Sequence, residues 1–465
     1  MIILLVTYSL VALTTAVNND QLQRNSIRSL PLIPYHVQRR RLNLDSRDLV
    51  ASQVIVEGRS SPLYQGLGTH YVDLWIGTPS QRQTVIIDTG SGITAMPCSG
   101  CSDCGSGYHA DNFFMEEDSN TFSVLSCNEC SSSSHCNSGL DTCQLSVSYQ
   151  EGSSWSAHEV SDKLYIGGPH EAPLDHPPND AFNLLFGCQT SITGLFKTQL
   201  ADGIMGMNFD TLSFWKQAHD TGAIPNQAFS LCFTKGEDGL DTGAGVMTLG
   251  GNNPALHTDS NMVFANFVNG GGFFRVQIKK VYLRSNGGTS VVASGNATIE
   301  RLDIDQSNLM DLDVIVDSGT TSTYFARSLS APFKTAWKQV TGHDWNSNEH
   351  LSSLTSEQAS ALPTILIQLH AWQGGELNLA AQGVAASVDP SNPNDALVAI
   401  PPSHYLTYSE GTFRTAIFFE GGHRSVLGAN FMMGHDVYFD IDNTRMGFAE
   451  STCDYSTVSE AETSG

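Results

Sequence analysis

Basic side chains are scarce in this sequence of 465 residues. It carries 23 Lys and Arg against 47 Asp and Glu, so its formal net charge is −24 at pH 7. A surface with this excess of negative charge repels phosphate groups, which argues against nucleic acid as a partner. The exception is the first fifty residues, which hold six arginines and only three acidic residues.

Apolar runs long enough to span a bilayer are also missing. The apolar run Ile2 to Leu13 is too short for a span, and small polar residues near Ala16 suit a cleavage site. We therefore predict a secretory signal peptide over residues 1–16. No Lys or Arg precedes the run, so a short uncleaved anchor stays open as an alternative. No later segment has eighteen uninterrupted apolar residues, which predicts no membrane span in the mature chain.

Several hydrolase and nucleotide-binding motifs are absent. The sequence has no Gly-x-Ser-x-Gly elbow, no His-Glu-x-x-His and no phosphate-binding glycine loop, which argues against the enzyme classes built on them. Helical periodicity is sparse, and short runs of β-branched and aromatic residues between turn residues predict a β-rich fold. The best helix candidate is Leu329 to Val340, with Phe333 and Trp337 as core residues. Two Pro-rich stretches, 168–179 and 389–402, are predicted to be loops.

One pattern occurs twice in the chain. An apolar run ends at an aspartate, a glycine follows two positions later, and a second apolar run ending in glycine comes much further on. The separation from aspartate to this later glycine is 118 residues in the first copy and 111 in the second. Such an echo predicts two matching lobes that arose by duplication, each offering one aspartate to a shared cleft. The two copies are Val85–Ser91 with Gly203–Gly206, and Val314–Thr320 with Val426–Gly428.

Two carboxylates brought close together form an acid/base pair. Like charges at short range raise the pKa of one group, so the pair shares a single proton. One carboxylate can then accept a proton from a water held between them, while its protonated partner donates to a carbonyl oxygen. A lone Asp-x-Gly-Ser is usually just a turn, but two copies in register favour the chemical interpretation.

Further motifs appear in the order found in pepsin-type (family A1) aspartic proteases, which the chain resembles from Tyr71 to Phe448. They are an opening strand and turn over 71–79, a flap-like hairpin over 149–153, and closing strands over 438–448. The resemblance implies an all-β, bilobal pepsin-like fold with two pseudo-twofold-related β-barrel-like lobes and a central active-site cleft.

The resemblance also implies a role for each residue of the repeated pattern. Asp88 and Asp317 would be the catalytic pair. Gly90, Tyr149, Gly319 and Thr320 would bind substrate, with Tyr149 on the mobile flap. Thr89, Ser91 and Ser318 would support the pair, by hydrogen bonds to a carboxylate or by locking the two loops together. Ala95 stands where pepsin has the tryptophan that supports the flap tyrosine, which leaves flap support open.

Ten cysteines in a chain with an export signal favour disulfides. Seven crowd into residues 98–143, so if all ten are paired, an odd number of bonds must tie this cysteine-rich insert to the rest. The insert resembles that of nepenthesin-type and endoplasmic-reticulum plasmepsin-type proteases. A zinc site with His109 and His135 as spare ligands is the alternative, but we expect no metal and no cofactor. The ten candidates are Cys98, Cys101, Cys104, Cys127, Cys130, Cys136, Cys143, Cys188, Cys232 and Cys453.

The predicted organisation has five parts. They are a signal peptide (1–16), a prosegment (17–60), an N-terminal lobe (61–255) that contains the insert, a C-terminal lobe (256–455), and a polar tail (456–465). The basic stretch Arg39 to Arg41 resembles an inhibitory prosegment lying on an acidic body, with a disordered linker as the alternative. Asn296 begins a glycosylation sequon, which agrees with passage through the secretory pathway to an extracellular, vacuolar or lysosomal site.

These observations predict a monomeric aspartic endopeptidase with an acid optimum and a preference for apolar side chains around the scissile bond. Its expected partners are peptide or protein substrates and its own prosegment. One alternative is a catalytically silent pepsin-fold binding or inhibitor protein. Another is the nucleotide-binding class of sugar kinases, actins and Hsp70 chaperones, which also carry paired Asp-x-Gly turns. That class would have an α/β fold and no flap tyrosine.

Overall fold

The computed structural model describes most of the chain beyond the predicted prosegment. Its described residues are 59–66, 68–149, 152–167, 172–179, 181–234, 243–258, 262–286, 297–310, 312–345, 354–374, 383–409 and 412–458. The predicted signal peptide, the Arg39 to Arg41 stretch, Gln150 and Glu151 of the flap, Asn296 and the end of the polar tail lie outside these residues.

Strands account for most of the regular structure, which confirms the all-β prediction. Many are short, as expected for apolar runs cut by Gly, Asn, Asp and Pro. The strands are β1 (Arg59–Gln65), β2 (His70–Ile76), β3 (Gln81–Asp88), β4 (Ala95–Pro97), β5 (Ser123–Val124), β6 (His135–Asn137), β7 (Thr142–Ser148), β8 (Ser154–Ile166), β9 (Phe182–Ile192), β10 (Gly203–Gly206), β11 (Ala228–Phe233), β12 (Gly243–Leu249), β13 (Val263–Gly270), β14 (Phe273–Val276), β15 (Ile278–Arg284), β16 (Ile299–Arg301), β17 (Asp313–Val316), β18 (Thr323–Ala326), β19 (Thr364–Leu369), β20 (Ala396–Ile400), β21 (Leu406–Ser409), β22 (Thr412–Thr415), β23 (Ile417–Gly421), β24 (Arg424–Leu427), β25 (His435–Asp440) and β26 (Arg445–Glu450).

Helices are few and mostly short. The α-helices are α1 (Phe214–Asp220), α2 (Gln306–Met310), α3 (Ser330–Thr341), α4 (Ser356–Ser360), α5 (Pro402–Tyr405) and α6 (Ala429–Met432). Single 3₁₀ turns cover Glu116–Asp118, Gly194–Lys197, Pro254–Leu256, Arg327–Leu329 and Ala385–Ser387. Helix α3 confirms the helix predicted from Leu329 to Val340. Its Phe333 and Trp337 are buried, and it ends at Gly342, whose φ of 75° is left-handed.

The chain divides into two compact units. Within the described part of the chain, unit 1 runs from residue 59 to 227 and from 243 to 250, and unit 2 from 228 to 234 and from 251 to 458. The division after Gly250 lies close to the boundary expected from the sequence at 255/256. Residues 228–234 belong to unit 2 because β11 pairs with β25 there.

Unit 1 is organised around β3 and β8. Strand β3 pairs antiparallel with β2 and parallel with β10, so it is enclosed on both edges. Its last six residues are all buried, so both faces of the strand are covered, and its apolar run is continuous rather than alternating. Strand β8 has 13 residues and pairs with β7 and β9. Tyr71, Ile86 and Trp155 belong to the core between these strands.

Unit 2 repeats the central arrangement. Strand β17 pairs parallel with β24 and antiparallel with β14. Strand β25 lies between β11 and β26. Three aromatic rings fill the core beside them, with Phe229 stacked on Phe439 at 4.6 Å between ring centroids and Phe274 edge-on to Phe439 at 4.8 Å. Burying such rings supplies much of the hydrophobic stabilisation of a unit.

The loop predicted over 389–402 is wrong in its second half. Residues Ala396–Ile400 form β20, a fully buried strand that pairs antiparallel with β19. The flanking prolines hid a run of five apolar residues that is too short to show a period of its own. Its partner strand β19 is equally buried, so tertiary pairing decides this segment.

All ten cysteines are paired. Three bonds lie within the insert, one (Cys98–Cys188) ties it to the body of unit 1, and one (Cys232–Cys453) lies in unit 2. The zinc alternative is therefore wrong, because every candidate sulfur ligand is committed to a disulfide. The bonds within the insert are Cys101–Cys104, Cys127–Cys136 and Cys130–Cys143.

Candidate active site

Asp88 is the last residue of the buried strand β3, and the chain turns directly after it at Gly90. Its backbone is in register with Gly206 of β10, and its carbonyl oxygen accepts from Met207 N at 2.8 Å. The amide of Gly90 donates to Asp88 Oδ1 at 2.8 Å. Asp88 and its neighbour Thr89 have no exposed surface within the described chain. The turn therefore holds one oxygen of the carboxylate through a backbone amide.

Asp317 is held in the same way in unit 2. It follows β17, and its amide donates to Leu427 O at 3.0 Å. The amide of Gly319 donates to Asp317 Oδ1 at 3.0 Å, which matches the bond from Gly90 in unit 1. Asp317 and Ser318 are buried at 2% and 1% exposure. Each unit thus presents one aspartate from an equivalent glycine turn.

The later glycine of each copy has a steric reason. A Cβ atom on Gly206 would lie 2.2 Å from Ile93 N, and one on Gly428 would lie 2.4 Å from both Thr320 O and Ser322 O. In both units this glycine crosses the segment that leaves the aspartate turn. Only a residue without a side chain permits this close approach. The repeated spacing noted in the sequence therefore reports a backbone crossing behind each aspartate.

The hydroxyl three positions after each aspartate differs between the units. Thr320 Oγ1 donates to Asp317 Oδ2 at 2.7 Å. Ser91 Oγ is buried, and within the described residues it makes no hydrogen bond. Both positions carry a hydroxyl group in the sequence. In the structure, only the hydroxyl of Thr320 binds its carboxylate.

Below the Asp88 turn, a buried carboxylate joins β3 to the segment before β10. Asp202 Oδ2 accepts from Thr84 N and Thr84 Oγ1, each at 2.6 Å, and Asp202 Oδ1 accepts from Asp111 N at 2.9 Å. Asp111 is in turn paired with Arg82 at 2.9 Å. Burial, together with the nearby Asp111 carboxylate, raises the pKa of Asp202 to about 7. Asp202 therefore stays protonated in acid. Sequence reasoning missed it.

The matching position in unit 2 is occupied by ion pairs. Asp313, the first residue of β17, lies 2.9 Å from Arg424 Nε and 3.0 Å from Arg275 Nε. These three side chains are between 25% and 35% exposed, so water screens their charges. The strand that carries Asp317 is thus braced by half-buried charges and the strand that carries Asp88 by a buried carboxyl.

Tyr149 lies at the base of a hairpin between β7 and β8. Its amide donates to Ser153 O at 2.8 Å, and its side chain is 4% exposed. Trp155 Nε1 donates to Tyr149 OH at 2.7 Å. The sequence left open which side chain supports Tyr149, because Ala95 stands where pepsin has a tryptophan. In the structure, Trp155 on strand β8 binds the tyrosine. The hairpin register, in which Trp155 opposes Val147, was the signal that could have found it.

The structure shows one cluster of possible metal ligands in the part of the chain it describes. It consists of Cys98, Glu116 and Cys188, whose ligand atoms lie within 4.8 Å of one another. Both sulfurs belong to a single disulfide, so they cannot act as thiolate ligands.

Among the described residues there is no helix long and apolar enough to cross a membrane.

The chain is similar to proteins that are named as aspartic proteases. A family model described as "Xylanase inhibitor N-terminal" matches residues 70–251. Aspartic protease 5 of Toxoplasma gondii is 33% identical over 207 residues, covering 40% of this chain and 20% of that protein. Plasmepsin V of Plasmodium falciparum is 24% identical over a match that covers 83% of this chain and 70% of that protein. Aspartic proteinase nepenthesin-1 of Nepenthes gracilis is 25% identical, covering 91% and 87%.

Proposed function

The chain is a relative of the pepsin-type aspartic proteases, and on that premise we propose that it is an aspartic endopeptidase. The observation that carries the proposal is the duplicated turn, in which Gly90 N and Gly319 N bind equivalent oxygens of Asp88 and Asp317. Both catalytic candidates are retained, and each lies at the end of a buried strand, Asp88 as the last residue of β3 and Asp317 directly after β17.

In the proposed mechanism, Asp88 and Asp317 share one proton and hold one water between them. The ionised carboxylate removes a proton from this water as it attacks the scissile carbonyl, and the protonated carboxyl donates to the carbonyl oxygen. No acyl-enzyme forms because water attacks directly and gives a tetrahedral diol. The carboxyl that took the water proton then donates it to the amide nitrogen, while the other carboxylate removes a proton from a diol hydroxyl, so the C–N bond breaks and the acid and the amine are released. A pair of this kind titrates as a unit, so no separate role is assigned to either aspartate.

The remaining residues of the pattern would bind and orient the peptide. Gly90 and Gly319 permit close approach of a substrate backbone. Thr320 orients Asp317, and Thr89 and Ser318 would keep the two loops in place. Tyr149 would close over the bound peptide and exclude water. The preference for apolar side chains around the scissile bond and the acid optimum belong to this proposal.

We assign the protein to the secretory pathway as part of the same proposal. Five disulfides, all within the described residues, fit an oxidising compartment. The basic stretch at Arg39 to Arg41 would act as a prosegment latch that acid releases by protonating carboxylates on the acidic body. Replacing all three arginines by Gln should then shift the pH at which the precursor matures.

Peptide hydrolysis by two single variants tests the proposal. Asp88→Asn and Asp317→Asn should each lower kcat about a thousandfold or more, because each removes one member of the acid/base pair. Asp118→Asn, at an exposed carboxylate, is the matched control and should keep wild-type activity. Full activity in either active-site variant would end the catalytic assignment.

A silent binding or inhibitor protein is the second candidate, and the description of the matched family model favours it. This candidate predicts that the mature wild-type protein binds a protein ligand but cleaves no peptide at any pH between about 3 and 7. Turnover that disappears in Asp88→Asn excludes it.

A further inference from the structure

The first loop of the insert runs from Cys101 to Ala110 and contains the Cys101–Cys104 disulfide. It lies against the 3₁₀ turn Gly194–Lys197. His109 Nε2 and the carbonyl oxygen of Phe196 are 2.8 Å apart, and because a carbonyl only accepts, the histidine donates. Ala110 N donates to Leu200 O at 2.8 Å, just beyond the turn. Asp103 and Lys197 form an ion pair at the surface.

The contact between this loop and the turn is close at the backbone level. A Cβ atom on Gly105, whose φ is 74°, would lie 2.2 Å from Lys197 O and 2.8 Å from Lys197 C. Cys104 is 2% exposed and Cys101 is 9% exposed, although the loop around them is open to solvent. The disulfide between them is therefore packed inward, against the same core cluster that contains Phe196.

The opposite side of the same turn supports the flap hairpin. The Phe196 ring lies 4.9 Å from the Tyr149 ring between centroids, and both side chains are 4% exposed. Leu195 N donates to Ser153 Oγ at 2.9 Å. A Cβ atom on Gly194 would lie 2.3 Å from Ser153 Oγ, which shows how tightly the turn and the hairpin pack.

The second half of the insert makes different contacts. Its loop between Cys127 and Cys143 is bound by Glu159 on β8, whose Oε2 accepts from Ser131 N at 3.0 Å and from Ser134 Oγ at 2.5 Å. These contacts are polar and lie outside the hydrophobic cluster that contains Tyr149 and Phe196. The first half thus contacts the turn that packs on Tyr149, whereas the second half contacts β7 and β8 at residues farther along the hairpin, Cys143 and Glu159.

From these contacts we infer that His109 and the Cys101–Cys104 loop are positioning elements for the flap, acting through Phe196 on Tyr149. The inference rests on the proposed function, because it assigns Tyr149 to the flap of a protease. His109 touches neither substrate nor the aspartates in this account. It holds the carbonyl of Phe196, and the ring of Phe196 supports the tyrosine that closes over the peptide.

Two substitutions of His109 separate its hydrogen bond from its bulk. His109→Phe keeps a ring but cannot donate, so KM should rise about fivefold while kcat stays within about twofold. His109→Gln keeps an amide nitrogen the same number of bonds from Cβ, and it should restore KM to within about twofold of wild type. A KM that stays at the wild-type value in His109→Phe overturns the inference.

Hydrogen exchange at the hairpin gives a readout that needs no catalysis. The amides of Tyr149 and Gly152 are both hydrogen-bonded within the hairpin, and we expect them to exchange about tenfold faster in His109→Phe than in His109→Gln. If the wild type cleaves no peptide, the proposed function fails, but this exchange difference still decides the positioning role. Equal exchange in the two variants contradicts it.

The two halves of the insert supply a matched control. Replacing Cys101 and Cys104 together by Ser should accelerate flap exchange, because the loop that buttresses Phe196 loses its bond. Replacing Cys127 and Cys136 together by Ser should leave flap exchange within about twofold of wild type. An equal effect of both pairs would show a general loss of stability and would overturn the assignment to the first loop.

Discussion

The two aspartate turns share their backbone geometry and differ in what supports them. Gly90 N and Gly319 N bind their aspartates at 2.8 and 3.0 Å. The strand before Asp88 is braced by the buried Asp202, whereas the strand before Asp317 is braced by half-buried ion pairs of Asp313. The glycine turn and the crossing glycine behind it are thus common to both units. The side chains that brace the two strands differ in chemistry.

The largest expected effect tests whether the two turns act as one site. If the two aspartates form the proposed pair, kcat of an Asp88→Asn/Asp317→Asn double variant should fall no further than that of the worse single variant, because either loss already disables the pair. Steady-state peptide hydrolysis of the three variants measures this. If the two losses multiply instead, the aspartates act independently, and the equivalence of the two turns has no catalytic meaning.

The stability that the buried Asp202 contributes should depend on pH. The pKa of Asp202 is raised from 3.8 to about 7 in the folded state, so the folded protein holds a proton that the unfolded chain has released between these values. Stability from this group is fully present below about pH 4 and is lost as pH rises through about 7. Over that window the loss is on the order of 4 kcal/mol.

Urea unfolding at several pH values between about 4 and 7 measures this loss. Asp202→Asn, which is neutral at every pH, should flatten the dependence even though it lowers the stability in acid. Asp118→Asn, at an exposed site, should keep the wild-type slope. An Asp202→Asn variant with an unchanged slope would show that another group is responsible.

The hydroxyl groups beside the aspartates should be unequal. Thr320→Val removes the bond to Asp317 Oδ2 and should lower kcat about tenfold, because the carboxylate loses a donor that orients it. Ser91→Ala removes a hydroxyl that makes no hydrogen bond with the described residues, so kcat should change less than about threefold. A larger effect at Ser91 than at Thr320 would reverse the comparison between the units.

The smallest expected effect concerns the hairpin of Tyr149, which we propose to be the flap. Trp155→Phe and Tyr149→Phe each remove the hydrogen bond from Trp155 Nε1 to Tyr149 OH. Their effects on kcat/KM should therefore not add. We expect a coupling of about 1 kcal/mol in a double-mutant cycle built on kcat/KM. Strictly additive effects would show that Trp155 does not hold the tyrosine during the reaction.

The sequence predicted the features that repeat or that have strong local signals. The two aspartate turns, the crossing glycines, the β-rich class and helix α3 all follow from short patterns that need no tertiary information. The strand β20 did not, because five apolar residues between prolines have no period and depend on pairing with β19. Trp155 was missed because its bond to Tyr149 depends on hairpin register, and Asp202 because a buried aspartate looks like a surface one in sequence.

Titration with a statine-containing peptide tests the central claim most directly, namely that both aspartates form a single site. The account predicts one bound inhibitor per chain in acid, with binding weakened by at least about a hundredfold in both Asp88→Asn and Asp317→Asn. Binding that survives in either variant, or two inhibitors bound per chain, would contradict it.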